Sequence, residues 1–113
     1  MLTKNNLQFS TSLGVLYRIK EIHKHTTLQD TYNYLGKGDF DTIYEVLQVA
    51  YNKQNNCNQT MEEFADFLDG QGIGFVKASE IYTEVVESIM YSGLSPEEVE
   101  KQKNFIASQI GKN

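Results

Sequence analysis

The sequence predicts a mainly α-helical fold, a small single-domain bundle of about five helices behind a short extended or hairpin N-terminal segment. Three observations carry this. Apolar residues recur at i, i+3, i+4 and i+7 in several separate stretches, the spacing that lines one side of an α-helix. Helix-start signatures stand just ahead of those stretches. One proline and no tryptophan occur in 113 residues, so almost nothing in the chain forbids helix.

In order, Leu2-Thr3 and Leu7-Gln8-Phe9 flank Lys4-Asn5-Asn6. Leu7 and Phe9 alternate with Gln8 as a half-buried strand does, and the asparagines mark a turn. Ser10, Thr11 and Ser12 offer hydroxyls to cap a first helix over Leu13–Lys24. Its expected inner face is Leu13, Leu16, Tyr17, Ile19 and Ile22, with Gly14 weakening the first turn. Thr26-Thr27 breaks and recaps the chain, and Leu28–Leu35 reads as a short helix or a turn-rich bridge ended by Gly36-Lys37-Gly38.

Asp39 is placed to cap a helix over Phe40–Asn52. Phe40, Ile43, Tyr44, Leu47, Ala50 and Tyr51 form its stripe, and Val46 and Val49 widen it, so contact on two sides is expected. Thr60-Met61-Glu62-Glu63 is a capping box opening a short helix with Phe64, Phe67 and Leu68 inward, closed at Gly70. The run Gly70-Gln71-Gly72-Ile73-Gly74 reads as a flexible link. It fits neither dinucleotide nor P-loop spacing, and Asp66 and Asp69 are out of register for a calcium loop.

The strongest pattern is Ala78–Tyr91, where Ala78, Ile81, Tyr82, Val85, Val86, Ile89 and Met90 share one side and Glu80, Thr83, Glu84, Glu87 and Ser88 the other. At about 1.5–3 kcal/mol for each large side chain buried, this stretch is expected to be the central core helix, packed against Phe40–Asn52. Ser95-Pro96-Glu97-Glu98 then opens a last helix over 96–109 with serine at the cap, proline at N1 and glutamate at N3. Only Val99, Ile106, Ile110 and Phe105 are there to bury. The chain is therefore expected to be one domain over 1–113, with 96–113 a lightly packed helix and tail.

Composition narrows function mainly by exclusion. A hydrophobic share of 40% and a charged share of 22% are those of an ordinary globular domain. The net charge of -5 is uneven, +1 over residues 1–53 and -6 over 54–113. An acidic second half argues against a phosphate-backbone partner. Cys57 stands alone in a polar run, excluding an internal disulfide and fitting a reducing compartment. No leader pattern opens the chain, and no apolar run approaches the roughly 20 residues of a membrane span.

No catalytic constellation stands out. His23 and His25 are two apart, so on one helix they face different ways and share no metal. Glu80, Glu84 and Glu87 line one side but have no E-x-x-H partner, which reads as a solvated acidic face. The expectation is no enzyme, cofactor or metal. Tyr32, Tyr34 and Phe75 fall in glycine-bounded connectors outside the stripes and are the candidate partner-binding residues, bordering an apolar groove for a helix.

The order of parts carries a resemblance. Leu7-Gln8-Phe9 runs into a helix with Leu13, Leu16 and Ile22. A Tyr/Leu/Gly connector follows, then the Phe40–Tyr51 helix, an acidic stretch from Glu62 to Gly70, and the acidic apolar helix Glu80–Met90. This layout resembles the tail assembly chaperones of long-tailed bacteriophages, or a prophage copy, over nearly the whole chain, without a diagnostic motif. The resemblance implies a non-enzymatic protein of the host cytoplasm that binds the tape measure protein and assists assembly of tail tube subunits. Self-association stays open. Such chaperones are made in two lengths by ribosomal slippage, and Gly111-Lys112-Asn113 is compatible with slippery codons, implying that this chain is a short form. The alternative is a small helical DNA-binding or regulatory protein of phage origin. It lacks the basic recognition helix that reading requires.

Overall fold

A computed structural model describes residues 1–92 and 94–110, and of Ile106, Gln109 and Ile110 the backbone only. The expected burial of Ile106 and Ile110, the Gly93 turn and the Gly111-Lys112-Asn113 end lie outside the described residues. The fold is mainly helical, with the expected hairpin. Strands β1 (Leu2–Lys4) and β2 (Leu7–Phe9) precede helices α1 (Gly14–His23), α2 (Leu28–Leu35), α3 (Phe40–Asn55), α4 (Met61–Gly70), α5 (Phe75–Met90) and α6 (Pro96–Ile110). The stretch that sequence left between helix and bridge is the helix α2, which makes six rather than five.

The hairpin pairs antiparallel with Leu2 opposite Phe9 and Lys4 opposite Leu7. Asn5 and Asn6 both hold positive φ, 51° and 65°. That is the two-residue turn whose twist suits paired strands, and asparagine tolerates it. Leu7 and Phe9 go into the core while Gln8 stays out. The Ser10 amide donates to the Ala50 carbonyl at 3.0 Å, tying the hairpin's exit to α3.

α3, rather than the stretch after Ala78, is the central element. It touches β2, α1, α2, α4 and α5, whereas α5 rests on α3 and β1. Ile43, Val46, Leu47, Val49 and Ala50 are all buried, so both of its apolar flanks are covered. The broad stripe in the sequence carried this two-sided contact; its rank over α5 follows from position in the chain, because α3 lies between partners on either side. α5 begins three residues earlier than expected, and its Ala78, Ile81, Tyr82, Val85 and Ile89 are buried as the stripe implies. Val86 and Met90 are only partly covered.

Helix starts follow their signatures. Thr27 with Asp30 and Thr60 with Glu63 form complete capping boxes, and Asp39 accepts from the Thr42 amide at 2.9 Å. Hydrogen bonds from Thr42 hold the Asp39 carboxyl below the usual carboxylate range, and the Thr60 backbone amide does the same for Glu63. α1 is the exception. Ser10 to Ser12 give it no side-chain cap, and Leu13 itself is the N-cap.

Helix ends were less visible. α4 closes in a Schellman motif: Ile73 N–H bonds the Leu68 carbonyl at 2.9 Å and Gly72 N–H the Asp69 carbonyl at 3.0 Å, with Gly72 at φ 76°. The supposed flexible link is thus a pinned stop with Ile73 buried in the core. α1 uses the same device. Lys24 sits at φ 55°, and the His25 amide bonds back to the Lys20 carbonyl at 3.0 Å. α3 ends likewise, with Asn56 at φ 50° and the Cys57 amide on the Asn52 carbonyl at 3.1 Å.

Three inner-face assignments are corrected. On α1 the buried residues are Val15, Leu16 and Ile19, while Leu13, Tyr17 and Ile22 are exposed. Ten residues present a single narrow stripe, and Val15 rather than Tyr17 completes it. Phe40, the first residue of α3, lies beyond the core and is 60% exposed. Phe105 on α6 is 59% exposed.

α6 starts as its signature requires, the Ser95 hydroxyl accepting from the Glu98 amide at 3.2 Å. Among its described side chains, Val99 borders a hollow with Leu2, Ser88 and Tyr91, and Lys103 lies 3.4 Å from Glu87. Among the described residues no helix is long and apolar enough to cross a membrane.

If α3 is the element on which the others rest, Leu47→Ala costs about 2–5 kcal/mol as a cavity in the core. Leu13→Ala, on the exposed side of α1, stays within about 0.5 kcal/mol of wild type. Urea denaturation of the two variants checks this; equal losses would place Leu13 in the core or remove Leu47 from it.

Candidate functional site

An apolar recess of about 560 Å³ lies between α2 and α5. Tyr32, Leu35 and the Gly36-Lys37 turn form one wall, and Tyr82, Val86, Glu87 and Met90 the other. It exists because α2 is only eight residues long and stops at glycine, while the apolar stripe of α5 continues to Met90. The stripe is therefore longer than the helix that would cover it.

Tyr82 fixes the two walls together. Its hydroxyl donates to the Leu35 carbonyl at 2.6 Å in a buried position, joining the end of α2 to the middle of α5. Burial, with smaller contributions from the nearby Asp39 and Tyr34, pushes its phenol up to about 12. Lys37 and Glu87 also contribute to the lining, with the Lys37 ammonium 5.2 Å over the Tyr34 ring and Glu87 paired with Lys103.

A polar cluster lies on the other side of α2. His23 Nε2 approaches both carboxylate oxygens of Glu45, at 2.7 and 2.9 Å, and the Tyr34 hydroxyl donates to Glu45 Oε1 at 3.1 Å. His25 Nδ1 is 2.8 Å from the hydroxyl of Thr31, which is fully buried. The expectation that the two imidazoles face apart is overturned. Their rings stack at 5.4 Å and 15°, because α1 ends at His23 and the left-handed Lys24 folds His25 back alongside. Burial first, and the Glu45 charge after it, raise the Tyr34 phenol. The cluster ties α1, α2 and α3 to one another. Among the described residues, no three His, Cys, Asp or Glu side chains are placed to hold a metal ion.

The three residues singled out in the sequence therefore part company. Tyr32 lines the α2/α5 groove. Tyr34 turns to Glu45 and borders a second hollow with Phe40, Tyr44 and Met61. Phe75 stacks on Phe40 at 3.8 Å and 27°. None is in a connector: Tyr32 and Tyr34 belong to α2, and Phe75 opens α5. Tyr34 and Phe75 share a neighbour in Phe40, whereas Tyr32 stands apart from both.

Sequence reasoning missed Val86 and Met90 as groove residues, assigning them to the core with the rest of the stripe. The available signal was the stripe's length, seven apolar positions against a short α2. Of the acidic face, Glu84 pairs with Lys4 at 2.9 Å and Glu87 with Lys103 at 3.4 Å, both partly exposed. Cys57 lies in the loop after α3 as expected, its thiol 3.3 Å from the Asn52 amide oxygen. No family model, curated protein or solved structure matches this chain.

Tyr82→Phe removes one of two hydrogen bonds to the Leu35 carbonyl, the Gly38 amide keeping the other at 3.3 Å, and is expected to cost about 0.5–1.5 kcal/mol. The raised phenol pKa also sets a pH window. The neutral phenol is favoured in the fold, so its contribution is complete below about 10 and is lost as pH climbs toward about 12. Denaturant midpoints across alkaline pH should converge for wild type and Tyr82→Phe; a constant gap would show that the phenol is not held.

Proposed function

We propose that this chain is a non-enzymatic assembly chaperone of the phage-tail type, which holds an amphipathic helix of a tape measure protein before the tail tube closes around it. The observation that carries the reading is the apolar groove between α2 and α5, which none of the described residues covers. Helix-in-groove recognition uses apolar anchors at i, i+3, i+4 and i+7 of the client. A trough walled by Tyr32, Leu35, Val86 and Met90 offers aromatic, branched and thioether surface to such anchors. Methionine and tyrosine suit a holder of varied helices, since a flexible thioether adapts and a tyrosine is wet at one end and dry at the other.

On the acidic outer side of α5, Glu84 and Glu87 pair with Lys4 and Lys103, and a client with a basic residue beside its apolar stripe would meet the net negative charge of that side. Tail tube subunits would then be recruited to the held client. A cytoplasmic location in the bacterial host belongs to this proposal.

Titration with a fluorescent amphipathic helical fragment of a tape measure protein tests it. Tyr32→Ala combined with Met90→Ala should weaken binding at least tenfold, about 1.4 kcal/mol or more, without moving the melting temperature by more than a few degrees. Phe75→Ala should leave binding near wild type, because that ring stacks on Phe40 away from the groove. Equal loss with Phe75→Ala, or no binding by wild type, would refute the assignment.

A further inference from the structure

We propose that the hollow beside the first two turns of α3 is a guanidinium seat, which takes an arginine side chain of a partner protein. Phe40, Asp41, Tyr44 and Glu45 of α3 all line it. Positions 40 and 44, and positions 41 and 45, are neighbours one helical turn apart. The helix therefore sets a row of two rings beside a row of two carboxylates. His23, Tyr34 and, from α4, Met61 help to complete a lining that encloses about 500 Å³.

Both carboxylates have charge to offer. Asp41 is exposed and makes no ion pair among the described residues. Glu45 is 15% exposed, and the His23 imidazole and the Tyr34 hydroxyl both donate to it. The tyrosine is neutral, and the imidazole is charged only when protonated. With the neutral ring, the two bonds orient the Glu45 carboxylate without cancelling its charge. Among the described residues, no Lys or Arg side chain lines the hollow. A carboxylate sheltered from water draws a cation more strongly than one in bulk solvent.

The rings select which cation. Phe40 lays one face on Phe75 and remains largely exposed. The Tyr34 ring already has the His23 imidazole at 4.5 Å and the Lys37 ammonium at 5.2 Å, so stacking falls to Phe40 and Tyr44. A guanidinium is planar; it lies flat on an aromatic face while donating to carboxylates at its edge. An ammonium has no plane to stack. Met61, 37% exposed, offers thioether surface to a methylene stem. That apolar surface exceeds what a bare guanidinium covers and points to an arginine carried on a chain. An anion is not favoured at this helix start, because the Asp39 carboxylate already accepts from the Thr42 amide. The seat shares no lining residue with the α2/α5 groove, so it stands or falls separately from the client site.

Heteronuclear NMR titration of the full chain tests the seat, with N-acetyl-arginine amide set against its uncharged isostere N-acetyl-citrulline amide at equal ionic strength. The arginine compound should give saturable shifts at Phe40, Asp41, Tyr44 and Met61, and the citrulline compound none. Phe40→Leu should weaken binding about two- to fivefold, and Asp41→Asn about three- to tenfold. Both change exposed positions, and an unmoved thermal melt shows that the fold is kept. Glu80→Gln removes the same charge on α5 and should leave affinity within about twofold, since a distant exposed charge is screened. A peptide with leucine three residues after its arginine should bind more tightly than the amide. Equal shifts with citrulline, equal loss with Glu80→Gln, shifts centred away from the hollow or no saturable binding would overturn the seat. Equal affinity for peptide and amide would overturn the partner chain as the source and leave a site for a small free guanidinium compound.

Discussion

Enclosure of α3 on both sides is the constraint from which the rest of the architecture follows. A helix with one dry side needs one partner; a helix with Ile43, Val46, Leu47, Val49 and Ala50 all buried needs a surrounding. β2, α1, α2, α4 and α5 together supply it. The side-chain network around Glu45 and the bond from Ser10 to Ala50 then hold the surrounding pieces to it by their polar groups. This is how a domain of modest size buries a continuous core without disulfide staples.

With that demand met, what remains uncovered is informative. α5 spends Ala78, Ile81, Val85 and Ile89 on the core and keeps Val86 and Met90 at its edge. The short α2 reaches far enough to accept the Tyr82 hydroxyl and no farther. Both walls of the groove are joined by the same buried hydrogen bond. Walls held in place lower the ordering cost of binding, which the proposed holding of a client helix would use. The second apolar surface, around Phe40 and Phe75, is by contrast satisfied partly by its own stacking.

Legibility in the sequence divided along physical lines. Helix starts were readable because a cap is local: Thr27, Asp39, Thr60 and Ser95 each act within three residues. The hairpin was readable for the same reason, through Asn5-Asn6. Helix ends were not, since two of the three left-handed stops fall on Lys24 and Asn56, which lack the signal that glycine gives. The stacked imidazoles follow from one of those stops and were hidden with it. On α1 the apolar residues admit two stripes, and only the neighbours choose Val15 over Tyr17. For the groove, the apolar residues were visible but not the length at which α2 ceases to cover them. Tyr32 was found by its position, while Tyr34 and Phe75 were drawn elsewhere by Glu45 and Phe40.

The Schellman stops also bear on how the chain acquires its structure. Each closes its helix with bonds to carbonyls three to five residues back, so α1, α3 and α4 can end correctly before any distant segment arrives. Neighbours in sequence such as β1 with β2, α1 with α2 and α3 with α4 also pack together, which favours rapid folding. α3 also packs on β2, α1 and α5, which are not its neighbours in sequence, and the longest-range contact is that of β1 with α5, a helix beginning more than seventy residues later. During synthesis Leu2 and Lys4 must wait for α5 to leave the ribosome. Until then one edge of the nascent domain stays open, and closing it is the least local of these contacts.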